Sequence, residues 1–388
     1  MDAASLCSDL VKIKSENPPG DTKECAEYIG SFLESIGIPV DYTTGPQNET
    51  NVYSKNQSNE LLLCGHIDVV PAIADGWDKT PYSGIIDETF VHGRGASDMK
   101  GGCAAVLSAA KQFADRDETP NVSFAFVCDE EGGGPNGIRR LIREKIVHPC
   151  DCLLAEPTPA SAPCIGQKGL FRAKICFNGE PAHSSLYPLN GKSAVMQSAE
   201  FLLSLKSLYE KSWEVSAQMD EILAHSAEII KAEYGKDYSP IFRHISYNPG
   251  VIRGGERVNI VAQKCVVDVD MRIPWGVSVD TVSAEIKSRL PESAGIDLYA
   301  AAEASMTSPD TKLVRTTCDA VSSVYQIQCR PMVQWAASDA RALRLSGFNA
   351  IEYGPGELST VHGINEKVSI TQLHKAVEIY ETIIQRYQ

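Results

Sequence analysis

The chain has 388 residues, 43% of them hydrophobic and 7% aromatic, which is enough to bury one large core or two ordinary ones. Fifty acidic against 36 basic residues give a formal net charge of −14, which argues against nucleic acid or an anionic membrane as a partner. No opening segment resembles an export signal and no apolar run could span a bilayer, so we expect a cytoplasmic protein. The 12 cysteines are scattered, mostly within apolar runs, and we expect buried free thiols.

The first part of the chain alternates between helical and strand-like patterns. Apolar spacing predicts helices over residues 2–14, 22–36, 99–114 and 136–145. Short apolar runs predict strands near 38–43, 50–54, 60–66, 122–128 and 152–155, with two more around 85–92. This alternation predicts an α/β fold with a mixed central sheet flanked by helices.

Several apolar strands end in side chains that can bind metal. These side chains are His66 with Asp68, Glu130 with Glu131, and Glu156. Asp98 follows a glycine-spaced loop just before the helix at 99–114. Because the carboxyl ends of parallel strands meet at one edge of a sheet, we expect these residues to line a single crevice there.

The pattern changes near residue 169. Strands at 171–177, 241–251 and 264–271 and helices at 194–208 and 277–290 indicate the order β-α-β-β-α-β, with a polar helical insert around 213–233. This order is typical of a ferredoxin-like domain, and helix–strand alternation resumes after it. We therefore predict an inserted domain at 169–300 within a catalytic domain formed by residues 1–168 and 301–388.

Four motifs occur together in this order. They are H-x-D at 66–68, G-R-G-x-x-D ending at Asp98, the pair Glu130-Glu131, and S-x-x-H-x-x-N-E at 359–366. Together they resemble the di-zinc hydrolase family of acetylornithine deacetylase, succinyl-diaminopimelate desuccinylase, aminoacylase and related carboxypeptidases. The likeness runs from about Ser15 to about Lys367. It implies a di-zinc exopeptidase-like fold, a homodimer formed through the inserted domain, and a cis peptide bond between Asp98 and Met99.

The resemblance also implies a metal-ligand set. Asp98 would bridge two zinc ions, His66 and Glu156 would complete one site, and Glu131 and His362 the other. Zinc accepts imidazole and carboxylate ligands, and cobalt or manganese could replace it. A lone histidine or acidic pair is more often a surface or hydrogen-bonded residue, but the joint match favours metal binding.

Catalytic roles follow from the same resemblance. Glu130 would act as general base, because it precedes the ligand Glu131 and faces another way. Asp68 would orient His66, since metal-bound histidines usually donate their second N–H to an oxygen. In Gly179-Glu180-Pro181-Ala182-His183-Ser184-Ser185, which is similar to G-x-x-x-H-S-S, His183 would polarise the scissile carbonyl in the partner subunit's active site. The alternative for His183 is a surface histidine.

Substrate contacts are implied at Asn259, Arg272 and Ser338. A guanidinium suits a substrate carboxylate, although Arg272 could instead pair locally. The sequence departs from the family pattern here, with Ala262 where proline is usual and alanines replacing the glycines of the loop at 334–341.

We therefore expect a metal-dependent amidohydrolase that removes a succinyl or acetyl group from the nitrogen of a small amino acid. Glu156, where some relatives have aspartate, resembles acylase and desuccinylase members more than aminopeptidases. A dipeptidase or carboxypeptidase of the same family is the first alternative. A metal-free binding or scaffold protein with the same fold is an alternative of another class.

Overall fold

The computed structural model describes residues 2–58 and 60–388, and the chain divides into two compact units. The first unit comprises the chain up to Gly166 together with Met306–Val333 and Ala337–Gln388. The second comprises Gln167–Ser305 and Gln334–Ala336. None of the helices formed by the described residues is both long enough and apolar enough to cross a membrane.

The first unit begins with alternating helices and strands. They are α1 (Ala3–Lys12), α2 (Lys23–Ser35), β1 (Val40–Thr44), β2 (Thr50–Ser54), β3 (Leu61–His66), β4 (Phe90–His92), α3 (Lys100–Ala114), β5 (Ser123–Val127), α4 (Ile138–Arg143), β6 (Asp151–Leu154) and β7 (Cys164–Gln167). Of the two strands predicted around 85–92, only β4 forms. Ile86 makes an isolated bridge to Val91 instead of starting a second strand.

The second unit contains β8 (Gly169–Asn178), α5 (Ala194–Tyr209), α6 (Ala217–Tyr234), α7 (Ser239–Arg243), β9 (Ser246–Gly254), β10 (Lys264–Ile273), α8 (Val279–Lys287) and β11 (Gly295–Ala302). Its strands form an antiparallel sheet in the order β11-β8-β10-β9. Buried residues of β8 alternate with partly buried or exposed ones and pack with Phe201, Leu205 and Val267 in a buried core. The predicted ferredoxin-like arrangement is confirmed.

One predicted strand in this unit starts too early. The sequence pattern predicts a strand over 241–251, but residues 241–243 belong to α7 and β9 begins only at Ser246. Pro240 lies in the first turn of α7, where its fixed φ favours a helix start and its missing N–H costs nothing. The apolar pair Ile241-Phe242 therefore belongs to a helix whose Phe242 is buried.

The first unit resumes with β12 (Ser305–Met306), α9 (Lys312–Tyr325), β13 (Met332–Gln334), α10 (Asp339–Leu345), β14 (Asn349–Glu352), β15 (Lys367–Ser369) and α11 (Ile370–Gln385). Its mixed sheet has the order β1-β2-β5-β3-β6-β14-β7-β12, with β13 paired to β7, and β15 pairs separately with β4. Strand β3 is parallel to both β5 and β6, and β6 is parallel to β14. The carboxyl ends of these central strands therefore lie on one edge.

Helix α3 packs closely against that edge. A Cβ atom added to Gly102 would lie 2.0 Å from the carbonyl oxygen of Ala155, and one added to Gly101 would lie 2.2 Å from that of Ala96. Only glycine allows this approach of helix and loop backbone. The start of α3, separated from Asp98 by one residue, is thereby held beside the segment that links β6 to Glu156.

Candidate metal centre

Three predicted metal ligands and the predicted general base Glu130 lie at the strand ends. His66 is the last residue of β3, Glu130 and Glu131 follow β5, and Glu156 follows β6. Asp98 lies in the loop before α3, and the Asp98–Met99 peptide bond is cis, as predicted. Each side chain thus comes from a backbone that the sheet or α3 holds in place.

Two groups of metal-type ligands share Asp98. One group is His66, Asp98 and Glu156, and the other is Asp98, Glu131 and His362; within each, ligand atoms lie within 4.8 Å of one another. Oδ1 of Asp98 lies 3.0 Å from Nε2 of His66, whereas Oδ2 lies 3.2 Å from Nε2 of His362. One carboxylate therefore faces two histidines through different oxygens, which is the arrangement that a bridge between two cations requires.

The outer carboxylates complete the two groups. Oε1 of Glu156 lies 3.8 Å from Nε2 of His66, and Oε2 of Glu131 lies 3.1 Å from Nε2 of His362. Hydrogen bonds to Asp98 and Glu131 raise the pKa of His362 to about 10. Burial opposes ionisation of Asp98, but hydrogen bonds to His362 and His66 hold the pKa of its carboxyl well below the usual range.

The electrostatics of these groups fit bound cations. Burial raises the pKa of Glu156 well above its ordinary value, and the negative charges of Asp98 and Glu130 raise it further. Buried carboxylates at this density are costly unless positive charge compensates them. Imidazole nitrogens and carboxylate oxygens are ligands that zinc, cobalt and manganese accept. The donor set therefore fits two divalent cations and does not identify the metal.

Asp68 holds both the histidine and the glutamate pair. Nδ1 of His66 lies 2.9 Å from the backbone carbonyl oxygen of Asp68 and 3.6 Å from carboxylate Oδ1. The Asp68 carboxylate accepts the backbone N–H groups of Glu130 and Glu131 at 3.2 and 3.1 Å, and the side-chain amide of Asn17 at 2.9 Å. The closest partner of the imidazole is thus the Asp68 carbonyl, while the carboxylate joins the end of β3 to the end of β5.

Glu130 belongs to neither group of ligands among the described residues. Burial raises the pKa of its carboxyl well above the ordinary value, and the charges of Asp339, Glu131 and Asp98 act in the same direction. A carboxyl with a raised pKa, beside the ligands but outside their set, has the properties of a general base or acid.

His183, which was predicted to be catalytic, and Asn259, which was predicted to contact substrate, lie together in the second unit. His183 bridges to Ile260, and the backbone N–H of Ser184 donates to the carbonyl of Asn259 at 3.2 Å. Nδ1 of His183 accepts the backbone N–H of Ser185 at 3.3 Å. The hydroxyl of Ser185 lies 2.8 Å from the same nitrogen. With Nδ1 as acceptor, a neutral ring would carry its proton on Nε2, from which the exposed side chain would donate to a ligand.

Arg272 and Ser338 both have partners within their own unit. Arg272 donates to the carboxylate of Asp270 from Nε at 2.9 Å, and Arg172 donates to the same carboxylate at 2.7 Å. The hydroxyl of Ser338 accepts the backbone N–H of Ala340 as the N-cap of α10 and donates to buried Glu352. The local pairing considered for Arg272 is thus present, and its substrate contact stays a prediction.

Sequence reasoning assigned no role to Asn17 or Glu366, although both lie in contact with this centre. The amide of Asn17 reaches Asp68 and, at 3.3 Å, Asp129. The carboxylate of Glu366 accepts the backbone N–H of Asp98 at 3.0 Å. Asn17 lies in an Asn-Pro-Pro-Gly run, which is typical of a turn and carries no metal-site signal, whereas Glu366 closes the motif that contains His362.

Comparison with known proteins agrees with this geometry. The model of peptidase family M20/M25/M40 matches residues 62–386. A succinyl-diaminopimelate desuccinylase of Methylorubrum populi is 28% identical, with 99% of this chain and 97% of that protein covered. The M20 family metallo-carboxypeptidase Sso-CP2 of Sulfolobus solfataricus has a similar fold (TM-score 0.79, 20% identity, 100% of this chain and 99% of that chain covered).

The Saccharomyces cerevisiae di-peptidase Dug1p also shares the fold, with a TM-score of 0.73, 16% identity, and 99% of this chain and 95% of that chain covered. These matches span both units and confirm the resemblance drawn from the four motifs. With a shared carboxylate between two histidines and a family match over most of its length, the chain is a metallohydrolase that belongs to peptidase family M20/M25/M40.

Proposed function

We propose that the chain is a di-zinc amidohydrolase that removes an N-acyl group, succinyl or acetyl, from a small amino acid. The main support for a two-metal site is that the two carboxylate oxygens of Asp98 face different histidines. Oδ1 lies 3.0 Å from Nε2 of His66, and Oδ2 lies 3.2 Å from Nε2 of His362. His66 and Glu156 would complete one zinc site, and Glu131 and His362 the other. Cobalt or manganese could replace zinc, since both accept the same ligand types.

Each side chain would have a defined task in amide hydrolysis. Two bound cations would lower the pKa of a water molecule and polarise the amide carbonyl. Glu130 would take the proton from that water and deliver it to the leaving nitrogen, a task for which its raised pKa suits it. The carbonyl of Asp68 would fix the tautomer of His66 by accepting its Nδ1–H.

The acyl group is proposed from two observations. The curated relatives matched over almost the full chain are named succinyl-diaminopimelate desuccinylases, at 26–28% identity. In the second unit, Ser184, Tyr187 and Arg257 line a groove of about 470 Å³ beside the loop of Asn259. The guanidinium of Arg257 would suit the free carboxylate of a succinyl group.

Substrate positioning and dimerisation are proposed together. We propose that Asn259, Arg272 and Ser338 contact the substrate, and that His183 donates its Nε2–H to the scissile carbonyl of a partner subunit. Strand β9 lies at an edge of its sheet, and its residues from Asn248 onward are exposed. Such an edge can pair with a second copy and extend the sheet, which would form a homodimer through the second unit. A cytoplasmic location stays a prediction from the sequence.

A hydrolysis panel tests the proposal. Purified protein loaded with zinc, cobalt or manganese should be assayed with N-succinyl-diaminopimelate, N-acetylornithine, other N-acyl amino acids and dipeptides, with kcat/KM as the measured quantity. We expect an N-acyl amino acid to be hydrolysed best. A dipeptide or C-terminal peptide bond cleaved best would instead support the alternative that the names of the two structural neighbours suggest. Protein that binds no metal and cleaves nothing would support a binding or scaffold role.

A further inference from the structure

The carboxylate of Glu366 is fully buried and surrounded by donors from a single loop. Oε1 accepts the backbone N–H groups of Gly95, Ser97 and Asp98, each at 3.0 Å. Oε2 pairs with the guanidinium of Arg94, which is also buried. Three amides and a guanidinium from five consecutive residues therefore converge on one side chain, and one of the amides belongs to Asp98 itself.

The loop depends on this anion for its shape. Gly95 has a φ of 85°, and the successive N–H groups around it point to a common centre instead of following a helix or a strand. Such a concave set of backbone donors is an anion-binding arrangement, and here the anion is a side chain of the same protein. Without it, three buried N–H groups would lose their acceptor, and the loop could satisfy them only by changing conformation.

Glu366 also holds the segment that carries His362. Its own carbonyl accepts the backbone N–H of Gly93 at 2.8 Å, so backbone and side chain bind the same loop. Arg94 reaches the carbonyl of His362 at 3.4 Å and lies over the ring of Trp77, 5.4 Å from its centroid. His362 has a φ of 59°, an unusual conformation for a non-glycine residue that needs support from its surroundings.

We propose that Glu366 is a positioning residue that sets Asp98 and His362 in their mutual geometry before any cation binds. This inference rests on the proposed function, because it assigns Asp98 and His362 to metal. The negative charge is essential to it. A glutamine at this position has one carbonyl oxygen, so its NH2 group would face either the three backbone N–H groups or the guanidinium of Arg94, and both are donors.

The test compares Glu366→Gln and Glu366→Asp with a matched control. Glu357→Gln makes the same chemical change in the same segment, but the Glu357 carboxylate accepts a bond from Gln372 at 3.3 Å and none from residues 94–98. In chelator-treated protein, amide hydrogen exchange should be measured across the chain. Zinc affinity should then be measured by competition with a chromogenic chelator.

We expect Glu366→Gln to accelerate exchange at the amides of Gly95, Ser97 and Asp98 by at least about 10-fold and to weaken zinc binding by about 10–100-fold, as loss of a residue that orients metal ligands does. Glu357→Gln should change neither. Glu366→Asp keeps the charge with a shorter reach and should fall between wild type and Glu366→Gln. If Glu366→Gln does not fold, Glu366→Asp tests the inference instead. We then expect faster hydrogen exchange in that variant only at the three amides.

Three results would overturn the inference. The first is hydrogen exchange at the wild-type rate at the three amides of the folded variants. The second is faster exchange spread evenly over the whole chain. The third is a wild-type zinc affinity in Glu366→Gln, when Asp98→Ala abolishes zinc binding. Failure of the proposed function is distinguishable. Wild-type protein that binds no zinc would overturn the metal assignment, whereas two zinc ions bound equally tightly by wild type and Glu366→Gln would overturn only the role of Glu366.

Discussion

Nε2 of His66 lies 3.0 Å from Oδ1 of Asp98, so that histidine uses only one of the two carboxylate oxygens. The other oxygen faces His362 at 3.2 Å, from a segment far away in the sequence. One side chain is thus common to both ligand groups, and its loss should be felt at both.

We expect Asp98→Ala to lose both metal ions, because each would lose the anion that the two share. Bound metal should be counted by elemental analysis after gel filtration, together with turnover on the best substrate of the panel. Asp115→Ala, which removes an exposed carboxylate at the end of α3, is the control and should retain both. Two tightly held ions and near-normal turnover in Asp98→Ala would show that Asp98 is not a bridge.

Substitution of Glu130 and substitution of its neighbour Glu131 should have different effects on metal content and on kcat. Glu130→Gln should keep two metals and substrate binding while kcat falls by about 10²–10⁴-fold, the loss typical when a general base is removed. Glu131→Gln should instead lose one metal, since that carboxylate lies 3.1 Å from His362. Metal content and kcat of the two variants, measured side by side, decide the matter. Equal metal loss in both would remove the distinction between base and ligand.

His183 should act across a dimer. We expect His183→Ala and Glu130→Gln to be nearly inactive alone and to regain part of the activity when mixed and allowed to exchange subunits. One active site of the heterodimer would then combine an intact base with an intact histidine. Subunit exchange should be followed with differently labelled copies, and the oligomeric state by light scattering. If mixtures that have exchanged subunits stay inactive, His183 acts in the active site of its own chain or has no role in catalysis.

Buried Lys168 should stabilise the second unit. Its ammonium donates to the carbonyls of Ile241 and His244 at 2.7 and 2.8 Å and to the hydroxyl of Ser246 at 3.2 Å. Lys168→Met leaves these acceptors without that donor, so we expect the free energy of unfolding near neutral pH to fall by about 1–3 kcal/mol in urea titrations. Lys174→Met, on the exposed side of strand β8, which begins directly after Lys168, should have little effect.

The effect of Lys168→Met should also depend on pH. Burial lowers the pKa of Lys168 from 10.5 to about 7, and the nearby Arg272 adds to this. Between these values the unfolded chain binds more protons at Lys168 than the folded chain does, so the free energy of unfolding of the wild type rises with pH relative to the variant. The difference between the two should therefore grow between about pH 7 and about pH 10.5, and a constant difference over that range would contradict the assignment.

The strands and the metal-type side chains at their ends could be predicted from local patterns in the sequence, whereas the ligand set came from the resemblance carried by the four motifs. Apolar runs of strand length indicated β3, β5 and β6, and the acidic or histidine residues after them indicated one crevice at a sheet edge. The order β-α-β-β-α-β identified the ferredoxin-like unit. The strand predicted to begin at residue 241 was wrong, because two adjacent apolar residues occur equally in a buried helix and in a strand. Pro240 in the first turn favours the helix α7 instead.

The contacts that hold the ligands could not be predicted from the sequence. The amide of Asn17 on the Asp68 carboxylate and the three backbone amides on Glu366 join segments that are far apart in the sequence and that only packing brings together. Sequence spacing says nothing about which donor meets which acceptor once distant segments fold together. Arg272 pairs with Asp270, two residues away on β10, and this local pairing was left open because a guanidinium near a strand end has several possible partners; pairing of β8 with β10 adds Arg172 to the same carboxylate.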